Sequence, residues 1–258
     1  MPEIEFLTKA QHMLLALKSR GLNLVRPEIC DMDAREFRLM GIYNPCVALR
    51  VDAAMVKNDI DFDESAKIYV LTGPNRGGKS VITCAIGLAQ AMAQLGLPVP
   101  ADEAKISPVT AIYTHFPSES GDTIEKGRLG EECARLNVIF DTVDKYSLVL
   151  LDESFSSTGS YEASYIASEV LTGFSIVGCR CLFSTHLHEL SGQRDEINEK
   201  CAAKGGVKID TLVAGIHGSE RSFEITRAKP DGKSYARDIA EKFGLSYDKI
   251  MARVEAKK

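Results

Sequence analysis

The sequence predicts an α/β fold with a mostly parallel central sheet flanked by helices. From Lys67 onward, short apolar runs alternate with longer stretches whose apolar residues recur at helical spacing, and this alternation is typical of parallel sheets. The runs at 68–71 and 148–151 are apolar at every position, as expected for strands that are buried on both faces. With 258 residues, the chain can form one large domain or one domain with an appendage.

The predicted elements follow in order along the chain. Residues 3–20 have apolar residues at three- and four-residue steps, which predicts a helix that ends near Gly21. Residues 22–66 mix short strands and loops, with Pro27 and Pro45 as breakers. After the strand at 68–71 we expect a helix at 81–95, a strand at 109–115, a loop at 116–124, a helix at 124–145, a strand at 147–152, a helix at 161–174 capped by Thr158 or Ser160, a strand at 179–185, a hairpin at 207–226 and two short helices at 234–243 and 246–256.

The composition favours a globular protein of the cytoplasm. Hydrophobic residues make up 45% of the chain, no apolar run reaches the ~20 residues that span a membrane, and the N-terminus lacks the features of a secretory signal. Seven cysteines without a Cys-x-x-Cys pair predict reduced thiols rather than a disulfide framework or a zinc site. The net charge of −5 is not the electrostatic footprint of a DNA-binding surface.

The segment from Gly73 to Ser80 carries the strongest functional signal. It reads G-x-x-x-x-G-K-S between a predicted strand and a predicted helix, which is the context that a phosphate-binding loop requires. Backbone N–H groups of residues 75–80 would surround a triphosphate at the positive end of the helix. Lys79 would reach the β- and γ-phosphates, and Ser80 would hold Mg²⁺. A chance match in a glycine-rich turn is disfavoured by the flanking elements, so the motif predicts a P-loop NTPase.

Two later strands end in polar residues that fit the same chemistry. Leu148–Leu151 is followed by Asp152 and Glu153, and a buried strand with acids at its end points to the ligand-binding edge of a sheet. Asp152 would bind the Mg²⁺ shell, and Glu153 would orient or deprotonate the attacking water. The apolar strand that follows ends in Thr185-His186, and His186 could sense the γ-phosphate or that water. For either strand end alone, an ordinary surface position remains the alternative.

Together these motifs resemble the ATPase domain of the MutS family of DNA mismatch-repair proteins. The matching segments are Thr72–Ser80, Tyr146–Glu153 and Ser184–Leu190, and Lys233–Ala240 is similar to the family's K-S-Y-G-x-x-x-A segment. The resemblance implies an ABC-type ATPase fold that uses ATP, ADP and Mg²⁺. It also implies a short helical lever at 1–25, an ATPase domain at 26–232 and a helical dimerisation segment at 233–258.

The resemblance also implies specific roles for residues of this chain. Asp152 and Ser80 would serve the metal, and Glu153, Lys79 and His186 would serve hydrolysis. Ser156–Thr158 falls where the family has a loop that crosses to a partner subunit, so a homodimer formed through the ATPase domain is expected, with DNA contacted mainly by domains outside this chain. The implied nucleotide-binding residues are Gly73, Pro74, Asn75, Arg76, Gly77, Gly78, Lys79, Ser80, Val81, Asn58 and Met55.

The chain departs from the family pattern in three ways. Met55 stands where the family has an aromatic residue that stacks on adenine, so purine selectivity is expected to be looser. The segment 126–132 lacks the Ser-Thr pair that the family supplies to the opposite subunit's ATP, and Ser118 or Ser120 are candidate substitutes. No mismatch-reading or clamp domain precedes the ATPase segment, so we expect an excised domain or a reduced relative.

Two other functions remain open at this level. A small-molecule kinase or transporter-type ATPase would also use the Gly73–Ser80 motif, but a kinase lid needs several arginines and residues 116–135 contain only Arg128 and Arg135. A nucleotide-binding assembly module without turnover would not need Asp152, Glu153 and His186 together. The segment 190–193 reads L-S-G-Q like a transporter signature, but it follows the His186 strand and is interpreted as a loop.

Overall fold

A computed structural model of the protein describes residues 2–117, 127–217, 220–229, 241 and 243–255. Its strands are β1 Glu28–Ile29, β2 Phe37–Ile42, β3 Asn58–Asp61, β4 Ile68–Thr72, β5 Glu103–Ile106, β6 Ile112–His115, β7 Leu148–Asp152, β8 Arg180–Ser184, β9 Ile209–His217 and β10 Glu220–Arg227. Its helices are α1 Pro2–Ser19, α2 Pro45–Arg50, α3 Lys79–Gln94, α4 Gly127–Phe140, α5 Ser160–Val177, α6 His188–Gly192, α7 Arg194–Ala202 and α8 Tyr247–Glu255.

Within the described residues, the central sheet has six strands in the order β10-β9-β4-β8-β7-β6. Every neighbouring pair from β9 to β6 is parallel, and only the β9–β10 hairpin is antiparallel. The predicted α/β fold with a mostly parallel sheet is therefore confirmed, as are the strands at 68–71, 147–152 and 179–185. Residues in β4, β7 and β8 are buried at every position, because helices or a second sheet cover both faces.

Helix α3 fills the space between the two sheets of the molecule. Its apolar face, which includes Ile82, Ile86 and Ala89, packs in one core with Leu71 and Leu150 of the central sheet. The same core contains residues of the second sheet, whose four strands lie in the order β1-β5-β2-β3. The opposite face of the central sheet packs against α4, α5, α6 and α7. These two cores hold the first turn of α3 against the carboxyl edge of the central sheet.

Several elements of the structure differ from those that the sequence patterns predicted. Pro45 does not break the chain but occupies the first turn of α2, where Asn44 accepts N–H bonds from Cys46 and Val47; an Asn-Pro pair is a helix-start signal. Strand β5 and helix α7 were not predicted, and the segment 190–192 belongs to α6 rather than to a loop. The cap of α5 is Gly159, without a side-chain bond from Thr158 or Ser160.

A helix lies near each end of the described chain. The predicted first helix is confirmed as α1, with Leu17 fully buried and Ile4 and Leu7 exposed. Helix α8 matches the last predicted helix, whereas residues 234–240 of the preceding one lie outside the described residues. Every helix among the residues that the structure describes is too short or too polar to cross a bilayer.

Candidate functional site

The parallel strands bring the predicted strand-end residues to one edge of the sheet. Ser184 at the end of β8 is in register with Asp152 at the end of β7 on one side and with Leu71 of β4 on the other. The Glu153 N–H donates to the Ser184 carbonyl at 2.8 Å, and the Thr185 N–H donates to the Leu71 carbonyl at 2.9 Å. The acids, the glycine-rich loop (residues 73–78) and the segment after β8 therefore meet at one place.

The glycine-rich loop needs glycine at its two ends. Gly73 has a φ of +139° and lies so close to β9 that an added Cβ would be 2.7 Å from the Ala214 Cβ. Gly78 has a φ of +90° and directly precedes α3. Residues with a side chain rarely adopt such φ values, so these two glycines allow the tight turn that joins β4 to α3. The N-terminus of α3 consequently opens onto the sheet edge, where its N–H groups and dipole favour an anion.

Lys79 lies buried at the start of α3 and points its ammonium into the loop. It is 3% exposed, and its Nζ donates to the carbonyls of Gly73 at 3.2 Å and Pro74 at 3.1 Å. The Glu153 carboxylate lies 3.9 Å away. Burial lowers the pKa of Lys79, while the negative charges of Glu153 and Asp152 oppose that shift. A desolvated ammonium held by carbonyls and one distant carboxylate is well suited to bind an anionic ligand.

Asp152 carries a buried oxygen that has no partner among the residues that the structure describes. Asp152 is 5% exposed, and its Oδ1 accepts no hydrogen bond from any of these residues; within the same part of the chain, the hydroxyls of Thr72 and Ser184, at the ends of β4 and β8, are also buried without a partner. Leaving a buried polar group unpaired costs about 1–3 kcal/mol, and more for a charged one. Three such groups at neighbouring strand ends indicate that ordered water or a cation completes their bonding.

Two cavities meet at Glu153. The larger, of about 560 Å³, lies beside the loop and includes the predicted residues Met55, Asn58, Arg76, Gly78, Lys79, Ser80 and Val81. The smaller, of about 120 Å³, lies on the other side and includes Asp152, Glu132 and His115. Glu153 contributes to both, with a left-handed φ of 47° and a side chain that is 34% exposed. The volume of the larger cavity is in the range of small-molecule sites.

Two aromatic side chains that the sequence did not indicate, Tyr43 and Phe223, line the larger cavity. Phe223, in the irregular stretch of β10, lines it and lies 3.4 Å from where a Cβ on Gly78 would be. Asn58 links this strand to β3, since its amide donates to the Phe223 carbonyl at 3.2 Å and accepts from the Ile225 N–H at 2.6 Å. The Asn58 amide is thus hydrogen-bonded to the backbone of β10, although the residue also lines the cavity.

The smaller cavity contains a histidine that the sequence analysis also missed. His115 ends β6, is 2% exposed, and has its Nδ1 2.7 Å from the Ser154 hydroxyl, while its Nε2 is buried without a partner among the described residues. Burial and the positive charge of Arg135 lower the pKa of His115 to about 4, so the imidazole is neutral near pH 7. A polar residue at the end of a predicted strand was the available signal, as it was for Asp152.

The other predicted site residues differ in where they lie relative to the two cavities. Gly73, Pro74, Asn75 and Gly77 form the loop but do not line either of these two cavities. His186 follows β8 with an exposed side chain and lines neither of them. Ser118 and Ser120 lie outside the described residues, as does the segment 233–240. Ser156 and Ser157 line the smaller cavity, next to Arg128 and Arg135.

Comparisons with known proteins agree with the motifs. Residues 69–255 match MutS domain V. The chain belongs to the MutS family. It is 36% identical over 218 residues to the DNA mismatch repair protein MutS of Roseiflexus sp. (strain RS-1), an alignment that covers 81% of this chain and 20% of that protein.

Two further relatives show how widely this MutS-family segment recurs. The DNA mismatch repair protein spellchecker 1 of Drosophila melanogaster is 33% identical over 181 residues, covering 69% of this chain and 20% of that protein. Endonuclease MutS2 of Streptococcus thermophilus is 29% identical over 210 residues, covering 78% of this chain and 26% of that protein. The chain therefore spans about a fifth to a quarter of the length of the relatives it matches, and the predicted resemblance to the MutS family is confirmed.

Proposed function

We propose that this MutS-family chain is a P-loop ATPase module that binds ATP and hydrolyses it to ADP and phosphate. The observation that carries the proposal is the buried Asp152 Oδ1, which has no hydrogen-bond partner in the described part of the chain and lies at the strand end that also presents Glu153. Lys79, desolvated and held by loop carbonyls, lies next to them. This arrangement supports a site for a cation and a phosphate chain, and the adjoining 560 Å³ cavity has room for the nucleoside.

Each residue of the site would have a distinct part in hydrolysis. The N–H groups of the glycine-rich loop and the ammonium of Lys79 would bind the phosphate oxygens and neutralise their charge. Ser80 and Asp152 would hold Mg²⁺, which as a Lewis acid stabilises charge on those oxygens. Glu153 would orient a water in line with the terminal phosphorus and accept its proton on the carboxylate. His186 would contact the terminal phosphate or that water from the end of β8.

The base would occupy the apolar part of the larger cavity. Met55 and Phe223 both line it, and an aromatic ring or a thioether can pack on the face of a purine. Asn58 would hold Phe223 in place through its two bonds to β10. Phe223 would therefore take over the stacking that the family pattern assigns to an aromatic residue at position 55.

The test is the Glu153→Gln variant, with Glu169→Gln on the exposed surface of α5 as its matched control. Glu153→Gln is expected to bind a fluorescent ATP analogue as wild type does, but to hydrolyse ATP at least about 100-fold more slowly, the usual contribution of a general base. Glu169→Gln is expected to behave like wild type. Wild-type turnover in Glu153→Gln would contradict the assigned role, and phosphate transfer to a small acceptor instead of water would favour the kinase hypothesis.

We also propose that the ATP-bound module forms a homodimer and that ATP acts as a conformational switch for DNA transactions in mismatch repair or recombination. DNA would be contacted mainly by domains outside this chain, which spans only 20% of the mismatch-repair relatives named above. Residues 1–25 would be the end of a helical lever, 26–232 the ATPase domain and 233–258 the dimerisation segment of a cytoplasmic protein. Light scattering of Glu153→Gln tests this: a dimer with Mg-ATP but not with Mg-ADP is expected, and a monomer with bound ATP would contradict it.

A further inference from the structure

The turn that follows β7 has a backbone conformation that does not persist without support. Glu153 has a φ of 47° and Phe155 a φ of 66°, and side-chain-bearing residues adopt this left-handed region only where surrounding groups hold them. Two such residues flank Ser154 within the turn that carries the proposed catalytic carboxylate. The position of Glu153 therefore depends on whatever holds residues 154 and 155.

The first support comes from the end of β6. The Ser154 side chain is 3% exposed, and its hydroxyl is paired with His115 Nδ1 at 2.7 Å. The imidazole is itself 2% exposed, so water does not replace this bond easily. His115 is held in turn by the parallel pairing of β6 with β7, where it lies in register with Leu151. The bond thus ties the turn to the rigid part of the central sheet.

The second support comes from helix α4. The Glu132 Oε2 accepts a hydrogen bond from the Phe155 N–H at 2.7 Å, and the same carboxylate is bonded by the Ser157 side chain. A charged acceptor makes this a strong type of bond. The Phe155 ring is fully buried in the core beneath α4 and α5. Glu132 therefore ties the backbone of the turn to helix α4.

We propose that His115 and Glu132 act as positioning residues, a two-point clamp that sets the Glu153 carboxylate for hydrolysis without taking part in ATP binding. Both residues line the small cavity on the far side of Glu153, and neither lines the larger cavity proposed for the nucleotide. Loss of either contact is expected to let the turn relax toward ordinary backbone conformations and to move Glu153. This inference rests on the proposed ATPase function and assigns a role to Glu132 of α4.

The experiment compares Glu132→Ala with Glu132→Gln in the complete chain. Alanine removes the acceptor of the Phe155 N–H, whereas glutamine keeps a carbonyl oxygen there. In single-turnover hydrolysis of ATP we expect Glu132→Ala to lower the rate about tenfold, the effect of one hydrogen bond's net contribution. Glu132→Gln should stay near the wild-type rate, and the Kd for a fluorescent ATP analogue should remain within about twofold of wild type in both.

Ser154→Ala and His115→Leu test the other half of the clamp. Each is expected to reduce the hydrolysis rate about tenfold, and the double variant should be no slower than either single one because the same bond is lost. Asn137→Ala, at an exposed position of α4, is the control and should hydrolyse ATP like wild type. Thermal unfolding of each variant shows whether the folded protein is being compared.

The outcomes separate the clamp from the proposed function. Wild-type rates in folded Glu132→Ala and Ser154→Ala, or equal losses in Glu132→Ala and Glu132→Gln, would overturn the clamp while leaving the ATPase proposal intact. A loss of ATP binding that accompanies the loss of rate would also overturn it, because positioning of Glu153 affects only the chemical step. A wild-type chain that binds no ATP or never hydrolyses it would refute the proposed function and the clamp with it.

Discussion

Gly73 is the position where a single methyl group should do most damage to the site. The substitution Gly73→Ala places a Cβ 2.7 Å from the Ala214 Cβ, 3.0 Å from its carbonyl oxygen and 3.1 Å from its nitrogen. Two of these contacts are with the backbone of β9, which pairs with β4 at Thr72 and Val213. Because neither partner can turn away as a flexible side chain would, the loop and β9 must separate.

The cost of this substitution can be worked from its two parts. Holding a non-glycine residue at a φ of +139° costs of order 1–3 kcal/mol, and inserting a methyl group into a filled space costs about 1–3 kcal/mol. We therefore expect Gly73→Ala to lower the free energy of unfolding by about 4 kcal/mol. Gly96→Ala is the matched control, because Gly96 has a φ of +73° and no atom of the residues described by the structure lies within 4 Å of an added Cβ. This substitution should cost about 1 kcal/mol.

Urea denaturation of the two variants measures this difference directly. A second comparison combines Gly73→Ala with Ala214→Gly, which removes the 2.7 Å contact but leaves the two backbone contacts. The double variant is expected to recover only part of the lost free energy of unfolding. Equal costs for Gly73→Ala and Gly96→Ala would refute the reasoning, since the backbone conformation alone would then account for both.

The remaining predictions concern His115 and Phe223. Burial and Arg135 hold the pKa of His115 near 4, below its ordinary 6.5. Between pH 6.5 and 4, the His115 imidazole is therefore protonated in the unfolded chain but stays neutral in the folded one. Wild type should therefore lose up to about 3 kcal/mol of stability as the pH falls from 6.5 to 4. Urea titrations of His115→Leu should lack this component, and an equal slope in both proteins would contradict it. Phe223→Ala should weaken ATP binding about tenfold or more, if stacking contributes about 1–3 kcal/mol. Phe243→Ala, an exposed phenylalanine outside that cavity, should leave the Kd of a fluorescent ATP analogue unchanged, and equal Kd values for the two variants would count against Phe223.

Local patterns predicted the central sheet well because burial on both faces leaves a clear mark. The runs at 68–71 and 148–151 are apolar throughout, and both are strands with every residue buried. The second sheet escaped prediction because its strands are short and mixed; β1 is exposed at both positions, and β5 begins with the exposed Glu103. Helix α2 was missed because Pro45 was interpreted as a breaker although Asn44 caps the helix it begins.

The amino-acid sequence by itself determined the order along the chain of the central-sheet strands from 68 onward, the glycine-rich loop and the acids at the end of β7. These features are local, since they depend on spacing along a few residues and on the chemistry of each side chain. Only the tertiary structure decided which distant groups meet there. It brought Phe223 to the large cavity, paired Asn58 with β10, and placed His115 and Glu132 against the turn of Glu153. Such contacts join segments that are up to 167 positions apart, and they arise from sheet order and helix packing, which no local pattern specifies.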